Sequence, residues 1–189
     1  MKKQLLISIL MLLPMVACAD AVEIDGIYYK LILKGNAAEV DFNPNEYSGD
    51  VIIPEKIEYD GNYYTVNTIL NWAFSYDENL NSVIIPNSIT SIGEGAFQGC
   101  TGLTSITLGN DINSIGVDAF EGCVNLNSVH VPDLESWNKI FFNYDALFYP
   151  KLTSNPLLYA EHFYVDNEDV KDLKIPENIP YISRGAFYG

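Results

Sequence analysis

Three cysteines, two histidines and 25 carboxylates are the residues of this 189-residue chain with the most chemistry to offer. Cys100 and Cys123 stand 23 positions apart, and Cys18 lies near the N-terminus. A disulfide between Cys100 and Cys123 is open to a chain that leaves the cytoplasm. Two small buried thiols are the favoured reading, because neighbouring strands about 5 Å apart seldom offer bridge geometry. His130 and His162 share no metal-ligand spacing with a cysteine or an acid, and both read as surface residues. Asp166 to Asp169 is acidic enough to attract calcium, yet it lacks the glycine and the regular oxygen spacing of a loop site and reads as a solvated turn. No serine sits in a nucleophile elbow, no glycine-rich loop cradles a phosphate, and no carboxylate pair stands out. The 13 tyrosines fall mostly at alternating or cap positions, where packing accounts for them. The expectation is a protein without catalysis, cofactor or metal.

The elements that hold these residues begin after an export signal. Lys2 and Lys3 precede an apolar stretch from Gln4 to Leu13 that is too short to span a bilayer, and Pro14 ends it. Small residues at Ala17-Cys18-Ala19 or Ala19-Asp20-Ala21 suit ordinary signal cleavage. Met15-Val16-Ala17-Cys18 instead resembles a lipobox, in which Cys18 would be lipidated, although Met15 departs from the usual leucine. The mature chain is expected outside the cell or on its surface, with no transmembrane segment. Ten Lys plus Arg against 25 Asp plus Glu give a net charge of −15, which repels nucleic acids and anionic membranes. Apolar residues at 48% leave ample material for a core.

That apolar material is laid out at a fixed interval of 23 residues. Leu80, Val83, Ile85, Ile89, Ile92, Ala96, Phe97 and Cys100 are followed by Leu103, Ile106, Leu108, Ile112, Ile115, Ala119, Phe120 and Cys123, and Leu126 starts again. A stretched copy runs from Val51 to Phe74, with extra residues around Tyr59 to Tyr63 in a hairpin-like turn, and a later copy runs from Val170 to Phe187. Alternation in each copy predicts a short strand that points Val83, Ile85, Ile106 and Leu108 inward. Outward it leaves two rows, Ser82, Ser105, Ser128 and Asp172, and beside them Ile84, Thr107, His130 and Lys174. A coil of this length cannot enclose its own apolar face, whereas stacked coils can, with strands ~4.8 Å apart in one parallel sheet. Phe74, Phe97, Phe120 and Phe187 are then expected to form one stacked spine.

These copies resemble the BspA-like (Treponema pallidum-type) leucine-rich repeat, whose pattern looks like L-x-x-I-x-I-P-x-x-V-T-x-I-G-x-x-A-F-x-x-C. Asp77 departs from it by standing where the cysteine falls. The resemblance implies an α+β repeat solenoid of bacterial secreted or cell-surface proteins, with a parallel sheet on one face and an N-terminal β-hairpin cap. The expected boundaries are 1–21 for the signal, 22–50 for the cap, 51–132 for repeats, 133–169 for an insertion and 170–189 for a further repeat; in the insertion, Asp133 as a cap with Leu134, Trp137, Ile140 and Phe141 on one face predicts a short helix, and the resemblance implies a hairpin after it. Gly189 falls one residue short of a cysteine position, so the last repeat is expected to be truncated.

Function is then expected in the outward strand rows. The resemblance implies adhesion-type binding of a protein or cell-surface ligand, including host extracellular matrix proteins. A spacer segment within a longer surface protein, and a lipoprotein that captures glycans, are the alternatives. Neither the ligand nor the oligomeric state is written in the sequence.

Overall fold

A computed structural model describes residues 21–143, 153–183 and 185–187. The chain opens with an antiparallel meander of β1 (Val22–Ile24), β2 (Ile27–Ile32) and β3 (Ala37–Val40). Asp25-Gly26 takes the left-handed backbone of a two-residue hairpin, at φ 50° and 82°. Strand β3 lies parallel to β6 (Asn62–Ile69), so the meander closes the first coil's open edge. Strand β5 (Lys56–Tyr59) folds back on β6 as the hairpin that lengthens this coil to 32 residues, from Asp50 to Ser82.

Each coil gives one strand to a first parallel ladder: β4 (Gly49–Ile52), β7 (Leu80–Ile84), β9 (Ser105–Thr107) and β11 (Ser128–Val131). The second leg of each coil also pairs. β8 (Ser91–Ile92) and β10 (Ser114–Ile115) continue from β6 in a second parallel ladder. The expectation of one parallel sheet is thus corrected to two, with the core between them. Only two residues per coil form the second ladder, too few for alternation to register in the sequence.

Inward residues stack row on row, among them Val83, Ile106 and Val129, then Leu80, Leu103 and Leu126, all buried. The return leg stacks Phe74 on Phe97 and Phe97 on Phe120, with ring centroids 5.0 and 5.3 Å apart and planes within 11°. Tyr47 of the cap closes the end of this spine at 4.4 Å from Phe74.

Phe187 does not join the spine. The coil after β11 runs 34 residues, from Ser128 to His162, and its return leg brings Thr153 to the backbone of Phe120. Ser154 therefore follows where an Ala-Phe pair would place its phenylalanine, and Phe187 packs edge-on to Phe163 at 6.3 Å. The segment 133–169 contains the expected helix, α1 (Leu134–Asn138), capped by Asp133, which accepts from the Ser136 N–H at 2.6 Å. It also contains β12 (Phe141–Phe142), which extends the second ladder, and β13 (His162–Val165), which extends the first. An insertion by sequence is therefore a long coil by geometry. Trp137 fills its wider interior, 5.1 Å from both Phe142 and Phe163, and donates its indole N–H to the Ala186 carbonyl at 2.8 Å.

Strand β14 (Glu168–Asp169) turns back antiparallel on β13 and occupies its free edge. Residues 170–183 contain no strand.

Candidate binding surface

The outward strand residues fall into two continuous rows because, from Asp50 onward, neighbouring strands of the first ladder pair residue for residue. The first row is Asp50, Ser82, Ser105, Ser128 and His162; the second is Ile52, Ile84, Thr107, His130 and Tyr164. Of the expected residues, Ser82, Ser105, Ser128, Ile84, Thr107 and His130 are brought together on this face. Asp172 and Lys174 are not. Both are exposed and outside any strand, since β14 already holds the edge they would need. His162 and Tyr164 take their places, and Asp50 and Ile52 extend the rows at the other end. The alternation in His162-Phe163-Tyr164-Val165 copies that of Ser128-Val129-His130-Val131, and was the signal that could have found them.

The two ends of this face differ in chemistry. At the cap end, Asp50 accepts from the Ser82 hydroxyl and the Asn81 amide, each at 2.6 Å, and these bonds hold its carboxyl below the usual carboxylate range. Beside it Ile52 and Ile84 are 66% and 43% exposed, a large share for isoleucine. At the far end, the rings of His130 and Tyr164 stack 4.3 Å apart with planes 4° from parallel. Desolvation lowers the His130 pKa, which favours the neutral imidazole. His162 Nδ1 lies 3.3 Å from Asp169 Oδ2. A groove of ≈ 400 Å³ runs along the turn edge of the second row, between Ile84, His130, Glu55 and Asp166. This arrangement can hold an extended partner by apolar and hydroxyl contacts.

The remaining candidates resolve into structure. Cys100 and Cys123 are free, buried thiols. Each donates to the spine carbonyl of the preceding coil, Cys100 to Phe74 at 2.8 Å and Cys123 to Phe97 at 3.1 Å. Burial pushes both thiols up, that of Cys123 to about 12, so neither is a nucleophile near neutrality. Asp166 and Asn167, both with positive φ, form the β13–β14 hairpin turn. Among the described residues no group of three or more His, Cys, Asp or Glu is placed to hold a metal ion. Cys18 and the export signal lie outside the described residues. No described helix is long and apolar enough to cross a membrane.

Comparison with known proteins agrees with this architecture. The BspA type leucine rich repeat region matches residues 67–189 in six copies. A leucine-rich repeat protein of Bacteroides capillosus superposes with a TM-score of 0.58 at 20% identity, over 77% of this chain and 98% of the other. A leucine-rich repeat protein of Bacteroides ovatus gives 0.51 at 25% identity, over 65% of this chain and 33% of the other. A leucine rich cell surface protein of Faecalibacterium prausnitzii gives 0.51 at 21%, over 77% of this chain and 42% of the other. No curated protein sequence gives a significant match. The chain therefore belongs to the BspA-type leucine-rich repeat family, a class of non-catalytic repeat proteins.

Proposed function

We propose that this chain is an exported binding module of the bacterial surface that holds an extracellular protein partner on the outward face of β4, β7, β9, β11 and β13. The observation that carries the reading is the unbroken register of two outward rows across five parallel strands, with Ile52 and Ile84 left open to water. Repeat stacks present such rows as extended binding faces. Exposed isoleucine on a soluble surface gains free energy when a partner covers it, about 25 cal/mol for each Å² removed from water. Export is read from the basic and apolar N-terminal residues, and adhesion, with a matrix protein as partner, from the family. The test is capture of the mature chain on a panel of immobilised extracellular matrix proteins. Saturable binding to at least one is expected, and a silent panel at high protein concentration contradicts the adhesion reading.

A further inference from the structure

The turn row that carries the phenylalanine spine also carries an aromatic pair in a backbone conformation that aromatic residues avoid. Trp72 and Tyr76 have φ of 62° and 63°. Their equivalents one coil on, Gly95 and Gly99, sit at 57° and 72° and are the residues suited to that region. The equivalence is structural, since the Trp72 N–H donates to Glu94 and the Tyr76 N–H to Gln98, as Gly95 and Gly99 donate to Val117 and Glu121. Bulky residues in left-handed backbone persist where something other than local preference holds them, and such outliers gather at ligand sites.

Neither ring is there to fill the core. Trp72 is 40% exposed and Tyr76 62% exposed. Each lies on the bare backbone of the next coil: a Cβ on Gly95 would run into the Trp72 ring, and one on Gly99 would meet Tyr76 Cδ1 at 2.6 Å. Backbone supports the rings and water reaches them. Around them stand hydrogen-bonding groups: the Gln98 side-chain amide, whose Oε1 accepts from the Tyr76 hydroxyl at 3.4 Å, the Asn71 carboxamide and the exposed carboxylate of Glu94. No lysine or arginine occurs between residues 57 and 138.

We propose that Trp72 and Tyr76 form a platform for a neutral glycan chain. The C–H face of a sugar ring packs on an aromatic face, and its hydroxyls donate to amide and carboxylate oxygens at the rim. The acidic surroundings disfavour anionic polysaccharides and phosphates. Both rings are open to water, which leaves room for an extended chain. It lies on the turn row, away from the strand rows, and stands or falls independently of the protein-binding face.

Gel electrophoresis of the folded chain through soluble polysaccharides tests this, with a β-glucan, an α-glucan, a galactomannan and anionic alginate as probes. Retardation by at least one neutral polymer is expected, weakened about tenfold or more in Trp72→Gly and in Tyr76→Gly. Because these variants install the residue found one coil on, both should melt no lower than the parent. In the unmodified chain Trp137 is buried, so the retarding polymer should shift the fluorescence of Trp72 to the blue. No retardation by any neutral polymer, retardation by alginate alone, equal retardation of the variants, or an unchanged emission spectrum overturns the proposal. So do variants that both melt well below the parent, which would make the rings structural lids over Gly95 and Gly99.

Discussion

Asp77 shows how one residue adapts a repeat to its end. In later coils this position is cysteine, whose thiol donates to a spine carbonyl in the coil before it. The first coil has no such carbonyl before it. The cap passes there instead and offers a backbone hydrogen bond at Tyr47, which an acceptor side chain can receive. The cost is a buried carboxylate, pushed up to about 6 by desolvation, against that hydrogen bond and with a smaller push from Glu46. The sign follows from linkage. Below pH ~4 Asp77 is protonated in both states; between ~4 and ~6 the unfolded chain loses its proton first, so stability falls as pH rises through that window. Asp77→Asn should therefore match the parent near pH 4 and exceed it at pH 7, by about 1 kcal/mol once solvent screening is allowed for. Urea midpoints at the two pH values check this, and an equal difference at both contradicts it. The departure from the repeat is plain in the sequence; its reason is not, because it depends on what the cap places opposite.

At the scale of the element, the strength of the stack lies in like residues laid on like. Phe97 touches a phenylalanine ring on either side, whereas Phe187 packs edge-on to Phe163 and is partly exposed. Phe97→Ala should lose about 3–5 kcal/mol by transfer and cavity terms. Phe187→Ala should lose about 1–2 kcal/mol, in proportion to its smaller buried surface. Chemical denaturation of the two variants side by side measures the difference, and equal losses would contradict the interrupted spine. The 23-residue coils were legible because Leu, Ile, Ala, Phe and Cys recur at one spacing that stacking requires. The 34-residue coil was not, since Thr153-Ser154 carries none of those letters and Trp137 fills the space from a helix. Leu173-Lys174-Ile175-Pro176 misled for the opposite reason. It has the letters of a strand, yet a strand also needs a free edge, and β14 occupies it.

For the molecule as a whole, charge and register decide where a partner can sit. The described strands of the first ladder, from β4 to β13, contain no lysine or arginine, and their outward rows are mainly hydroxyl, isoleucine and aromatic. Carboxylates gather in the turns and at the two ends, where they guide approach over about a Debye length and leave the apolar rows to supply close contact. The most direct test of this account compares two double variants for affinity toward a captured matrix protein. Ile84→Asp with Thr107→Asp alters the proposed face, and Ser91→Asp with Ser114→Asp alters the outward side of the second ladder. The account predicts a loss of about tenfold or more for the first pair and a change within about twofold for the second. Equal affinities for the two, or a loss confined to the second, would contradict it.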